Sequence, residues 1–406
     1  MGNGKSQSAI TYINEHCDQK FIYITPYLDE AARIKHACPN MHFVEPSNKI
    51  KEYDFKKHVH TAALIKEGRN VATTHQAFKG YTQEMLDNIR QWGYTLIVDE
   101  NVDVLEECNV NIGDVNMFID AGYVNENDGV YSLTDKEYTG TLGREFFSML
   151  HSRNLMRAKT AEAGIIFYWL LPPDLFLSFK DVFILTYLFK SQSIHHFLEI
   201  CHIPYRYIGI ERIDHGNGYR FTEELPGYTP EYVKHLSDMI HIVDHKKLNE
   251  IGANRFALSM NWYKGKEDVK QLKDHLYNLY TNIWKKVPAK KRLWGTYKAE
   301  QNRLRGKGYT KAFLIFNAKA TNEYRDKDHL AYLSNVFMNT NEKIFYQSRG
   351  VEVDDDMYSL SILVQWVWRS AIRDGKPIYI YIPSKRMRTL LQNWIEVTSK
   401  GGVACD

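Results

Sequence analysis

The sequence predicts an α/β chain with two parallel-sheet domains, each carrying an insertion. Three observations carry that prediction. Apolar runs of strand length alternate with helix-period stretches through residues 5–100, the rhythm of parallel strands joined by crossover helices. These runs end in Thr, His, Asp or Glu at their carboxyl sides, where parallel sheets gather their ligands. The same alternation resumes near residue 190. The expected division is 1–190, with an insertion at about 101–160, and 191–406, with an insertion at about 212–300.

Taken in order, the chain opens on Met1-Gly2-Asn3-Gly4-Lys5-Ser6, followed by a helical run over 7–16. Residues 21–24 form a strand that Thr25-Pro26 punctuates, and Asp29 is placed to cap a helix reaching residue 38. A helix over 55–67 ends at Gly68-Arg69. Residues 70–75 then form a short strand running into the hydroxyl-rich Thr73-Thr74-His75, and 76–91 is helical again. The run Tyr94-Thr95-Leu96-Ile97-Val98 is a buried strand ending in two carboxylates, Asp99 and Glu100. Residues 101–161 are polar and irregular. The apolar stretch 164–171 reads as a strand or a buried helix, and 181–186 as a further buried strand ending in Thr186.

A helix over 194–201 and a strand over 205–210 open the second half. Residues 214–230 are rich in turn signals, and 231–284 are mostly helical in period. Between Lys285 and Lys311 stand ten Lys or Arg residues against one acid, Glu300, with Trp284, Trp294, Tyr297 and Tyr309 interleaved. Cations to follow a phosphate backbone, with aromatics to stack on bases, are the composition of a single-strand binding face. Residues 312–316 read as a strand opening into Asn317-Ala318-Lys319-Ala320-Thr321-Asn322, whose polar groups suit phosphate contacts. A helix over 359–372 would align Gln365, Arg369 and Arg373 at i, i+4 and i+8 on one face.

Composition narrows the function classes. The chain has 406 residues, 44% hydrophobic and 25% charged, with a net charge of +3. That is an ordinary globular balance, so any nucleic-acid surface must be a local patch. Five scattered cysteines without C-x-x-C spacing point to a reduced compartment and no zinc site. No apolar run reaches membrane-spanning length, so no membrane partner is expected.

The chemistry lies in Gly4-Lys5-Ser6 and Asp99-Glu100. A G-K-S turn before a helix is the back half of a phosphate-binding loop. Backbone N–H groups from Gly2 onward wrap the phosphates, Lys5 reaches the outer ones, and the Ser6 hydroxyl holds Mg²⁺. A buried strand ending in Asp-Glu is the expected partner, with Asp99 in the metal shell and Glu100 polarising the attacking water. A metal-dependent nuclease built on the same pair would need a further carboxylate or His cluster, and the sequence offers none.

In this order the blocks resemble a superfamily 2 helicase-type ATPase, particularly the divergent kind encoded by bacteriophages. Gly4-Lys5-Ser6 is similar to the first motif, Thr25-Pro26 and Thr74-His75 to nucleic-acid contacts, and Asp99-Glu100-Asn101-Val102-Asp103 to the D-E-x-x-D box. Thr186 takes the place of the coupling motif. Lys319, Thr321 and Asn322 resemble a second-domain nucleic-acid motif, and Gln365, Arg369 and Arg373 the arginine-finger motif. Here Trp368 stands where a Gly usually precedes the Arg.

The resemblance implies two RecA-like domains with insertions, ATP and Mg²⁺ as cofactors, and single-stranded or branched DNA as partner, with RNA the other candidate. It also implies phage DNA replication alongside replication proteins in the bacterial cytoplasm, and a chain truncated within the phosphate loop. The alternative expectation is a non-motor nucleic-acid-binding or host-interaction protein on a decayed helicase scaffold.

Overall fold

The computed structural model describes residues 4–151, 154–162, 164–213, 218–225, 227–265, 269–318 and 323–400. Gly2 of the phosphate loop, and Lys319, Thr321 and Asn322 of the second-domain motif, lie outside these residues. The chain forms two compact units. Among the described residues, the first comprises those of 4–227 and 339–353, and the second those of 228–338 and 354–400. Each is an α/β unit around a four-stranded parallel sheet, as the sequence predicts.

In the first unit, α1 (Lys5–Glu15) precedes β1 (Phe21–Thr25), all five of whose residues are buried. Helices α2 (Leu28–Ala37) and α3 (Lys57–Lys66) lead to β2 (Val71–Thr74). Two helices follow, α4 (His75–Lys79) and α5 (Gln83–Trp92), before the fully buried β3 (Thr95–Asp99). The single helix expected over 76–91 is divided because Thr82 caps a new start, its Oγ1 accepting from Met85 N. Continuous burial along β1 and β3 is the signature of a parallel sheet covered on both faces.

The insertion is more ordered and longer than its polar sequence predicts. It is a five-stranded antiparallel sheet of β4 (Leu105–Cys108), β5 (Val124–Asn127), β6 (Val130–Leu133), β7 (Leu155–Lys159) and β8 (Ile165–Leu170), in the order β4-β8-β7-β6-β5. The apolar stretch 164–171 thus supplies β8, which lies between β4 and β7 in the insertion's sheet rather than in the parallel sheet. The chain then returns to β9 (Asp181–Leu185), and the first sheet has the order β2-β1-β3-β9.

The first unit runs to residue 227 rather than 190. The antiparallel hairpin β10 (Gly209–Arg212) and β11 (Tyr219–Thr222) closes back on it. Phe221 stacks on Phe183 of β9 at 5.1 Å and meets Tyr12 of α1 at 5.9 Å. Local periodicity cannot say which of two cores a short hairpin joins, and this aromatic contact decides it.

The second sheet takes β12 (Ile240–Ile242), β13 (Arg292–Gly295), β14 (His329–Tyr332) and β15 (Ile378–Tyr381) in the order β12-β15-β14-β13. Both β12 and β13 fall inside the stretch 212–300 expected as an insertion. The expected strand over 312–316 is reduced to a single bridge, Trp294 to Phe313. The aromatics of the basic segment are core residues: Trp284, Trp294, Tyr297 and Tyr309 are all buried and pack with Tyr263, Tyr280 and Tyr381. The expected stacking face is therefore absent from those four rings, because their apolar area is spent inside the unit. Nor do the cations all line one surface, since Arg292 donates to the Val287 and Gly308 carbonyls and Arg303 pairs with Glu300.

A crossover segment completes the first unit. The helix Thr340–Gln347 sets Phe345 edge-on to Tyr168 of β8 at 5.2 Å and Tyr346 against His196 at 4.8 Å. Glu342 on this helix is pushed up from 4.5 to about 7, first by burial and then by the charges of Asp103 and Glu107. A carboxyl raised on folding keeps a proton that the unfolded chain gives up. Its contribution is favourable below pH 4.5 and is lost as pH rises to about 7. Glu342→Gln is expected to raise the melting temperature by several degrees at about pH 8 and to change it little at about pH 5, read by thermal melts of the full chain.

Candidate nucleotide site

The carboxyl ends of the first sheet converge on Asp99. It is the last residue of β3 and only 8% exposed, so its carboxylate has little water to rely on. Two hydroxyls supply the missing solvation. Ser6 Oγ donates to both carboxylate oxygens, at 3.1 and 3.2 Å, and Tyr23 Oη from the middle of β1 donates to one of them at 2.7 Å. Burial nonetheless pushes the Asp99 carboxyl above the usual range and the neighbouring Glu100 adds to it, while the Tyr23 and Ser6 hydrogen bonds hold it down. His75 Nε2, at the start of α4, donates to the Asp99 backbone carbonyl at 2.9 Å and ties β2 to the end of β3.

Gly4 is the N-cap of α1 and lies in the left-handed region at φ 85°. A side chain at this position would be strained by its backbone and would run into the ring of Tyr219. Gly4 has no side chain to cap this N-terminus, so the first-turn N–H groups and partial positive charge of α1 suit an anion. Lys5 follows at once, its ammonium 5.8 Å from the Tyr187 ring centre and within electrostatic range of Asp99 and Glu100. Burial lowers the Lys5 ammonium below its ordinary value, and the two carboxylates oppose that shift.

Glu100 is also left-handed, at φ 64°, and its N–H donates to the Leu185 carbonyl of β9 at 3.2 Å. Such a backbone costs a residue with a Cβ about 1 kcal/mol or more, and strain of this kind gathers at functional positions. One hydroxyl and one carboxylate in contact are hard oxygen donors of the kind Mg²⁺ takes, with phosphates completing its shell. Among the described residues no group of three or more His, Cys, Asp or Glu is arranged to hold a metal, so Ser6 and Asp99 are the protein donors at hand.

The remaining predicted residues fall in less uniform surroundings. Thr25 is fully buried, so its side chain offers no surface to a polymer; Tyr27 and Leu28, 46% and 47% exposed, form the surface beside it. Pro26 is half-buried. Thr74 is half-buried and its Oγ1 accepts from Ala77 N as the cap of α4, while His75 is buried.

In the second unit the helix expected to align Gln365, Arg369 and Arg373 spans Asp355–Val367 and stops before either arginine. Gln365 is half-buried on its last turn, Arg369 is buried just beyond it, and Arg373 is exposed in the 3₁₀ turn Ala371–Asp374. The three do not share a helical face, because the chain tightens at its end. Arg369 N bonds to Trp366 O, and Ser370 binds Val367 O through both its N and its Oγ. Sequence reasoning missed Tyr23, which reads as one more apolar strand residue.

Removing the Tyr23 hydroxyl leaves a buried carboxylate short of a donor. Tyr23→Phe is expected to lower the unfolding free energy by about 1–3 kcal/mol, measured by chemical denaturation.

A family model described as the YonV C-terminal Rossmann-like domain matches residues 234–395, which span the second parallel sheet. Two solved chains named XPD helicase and XPD apo align over 99% and 96% of this chain and 94% and 93% of their own. They do so at 10% and 9% identity, with TM-scores of 0.46 and 0.42. The SPbeta prophage-derived uncharacterized protein YonV of Bacillus subtilis (strain 168) is 35% identical over 413 residues, covering 98% of this chain and 97% of its own length. At that identity along the whole length, the chain belongs to the YonV family.

Proposed function

We propose that the chain is a Mg²⁺-dependent ATP hydrolase that moves along or remodels single-stranded or branched DNA, in phage DNA replication in the bacterial cytoplasm. The observation that carries the reading is the Ser6–Asp99 contact beside Lys5, since it brings together, across 93 residues of sequence, the two groups expected to hold the metal. Gly2, Gly4 and the α1 N-terminus would wrap the phosphates, with Lys5 on the outer ones. Ser6 and Asp99 would hold Mg²⁺, whose contribution when bound is to neutralise charge on the phosphate oxygens. Glu100 would accept a hydrogen bond from the attacking water and orient it toward the γ-phosphorus. Gln365, Arg369 and Arg373 would supply the second unit's contacts to the nucleotide. Pro26, Thr74, Lys319, Thr321 and Asn322 would line the strand's path, with replication proteins as further partners.

A second reading, a non-motor nucleic-acid-binding or host-interaction protein, is favoured by one specific feature. The helix Asp355–Val367 ends before Arg369, and that residue is buried.

The two readings separate in an ATPase assay with added single-stranded DNA. Turnover stimulated by DNA, and reduced by about a hundredfold or more in both Lys5→Ala and Glu100→Gln, is expected of the motor. DNA binding without turnover in the unaltered chain would assign the second reading.

A further inference from the structure

The carboxyl end of β1 carries a polar group that the nucleotide chemistry proposed above leaves unused. Thr25, the last residue of that strand, is fully buried, and among the described residues its Oγ1 has no hydrogen-bond partner. A hydroxyl shut away from water and left unpaired costs stability that a hydrocarbon side chain of the same shape avoids. Phe21, Ile22 and Ile24 of the same strand are apolar, so the threonine at its end calls for a reason.

The register of the sheet places this hydroxyl. In the parallel pairing of β1 with β3, Phe21 lies opposite Thr95 and Ile24 opposite Val98, so Thr25 stands level with Asp99. Side chains alternate along a strand, and Tyr23, two residues earlier, shares the face of Thr25. Tyr23 bonds to the Asp99 carboxylate on that face. Helix α1 packs there too, with Ala9 and Ile13 in one core cluster with Phe21 and Tyr23, and so brings Ser6 to the same side. Thr73 and Thr95 also carry buried, unpartnered hydroxyls, but neither is so placed. Thr73 pairs with Ile24 and lies on the opposite face, while Thr95 begins β3, at the other end of the strand from Asp99.

Ser6 and Tyr23 thus bond directly to Asp99, and Thr25 beside them keeps its hydrogen-bonding capacity unspent. That combination suits a hydrated cation. Mg²⁺ gives up its waters reluctantly, so a site with few protein donors retains several, and each needs an acceptor. Groups that hold the ligands of a metal, without touching it, strongly affect its affinity.

We propose that Thr25 Oγ1 accepts a hydrogen bond from a water carried by Mg²⁺ in the nucleotide site, which makes Thr25 a positioning residue for the metal. This deepens the Mg²⁺–nucleotide part of the proposed function and rests on it. It assigns Thr25 to the metal rather than to the nucleic-acid path that its motif resemblance implies.

The test is calorimetric binding of ADP to the full chain across a series of Mg²⁺ concentrations, beside thermal melts without ligand. Thr25→Val is expected to need about tenfold more Mg²⁺ than the parent to reach the same ADP affinity. It is expected to bind ADP without Mg²⁺ as the parent does, and to melt no lower, because the methyl replaces an unpaired hydroxyl. Thr25→Ser, which keeps the hydroxyl, is expected to restore the parent's Mg²⁺ response. A Thr25→Val chain with the parent's Mg²⁺ response would overturn the assignment while leaving the metal site standing. A Thr25→Val chain that melts lower and loses ADP affinity equally with and without Mg²⁺ would overturn it in favour of a packing role. A parent whose ADP binding ignores Mg²⁺ would overturn the metal site itself, and this inference with it.

Discussion

A buried carboxylate cannot stand without donors, and the first unit is arranged around providing them for Asp99. Ser6 reaches it from the start of α1 and Tyr23 from β1, while His75 fixes the backbone behind it. Three elements distant in sequence are thereby drawn to one sheet end. The cost of desolvating the charge, several kcal/mol for an unpaired ion, makes this arrangement restrictive. A neutral residue at the end of β3 would relax it, and α1 would lose its anchor.

The same economy explains the strain at the site. Gly4 and Glu100 both take left-handed backbones, one free of penalty and one not. Glu100 keeps its conformation because its N–H is held by β9, the strand that carries Tyr187 just beyond its end toward Lys5. The aromatic contact of Phe221 with Phe183 and Tyr12 fastens the hairpin that covers α1. The site is thus braced by β9 and the β10–β11 hairpin, neither of which supplies a predicted phosphate ligand.

What could be read in advance follows from range. The strand ending in Asp99-Glu100 was legible because five buried residues followed by two carboxylates form a local pattern. The pairing of Tyr23 with Asp99 was not, since it depends on the register of β1 against β3 and on a hydroxyl that periodicity treats as apolar. The basic segment misled for the opposite reason. Ten cations dominate its composition, yet Trp284, Trp294, Tyr297 and Tyr309 answer to the core of the second unit. The insertion failed on length, because the strands β5 and β6 are too short and too polar to announce an antiparallel sheet. The helix end before Arg369 turns on Ser370 bonding back to Val367, a contact that helix-period counting does not weigh.

The central claim is that Ser6 and Asp99 together form the protein side of a Mg²⁺–nucleotide site. Calorimetric titration of ADP into the full chain, with and without Mg²⁺, tests it most directly, beside an Asp99→Asn chain. The account predicts that Mg²⁺ tightens ADP binding by about tenfold or more in the parent and has little effect in Asp99→Asn. ADP affinity that is indifferent to Mg²⁺ in the parent, or equally sensitive to it in both chains, would contradict it.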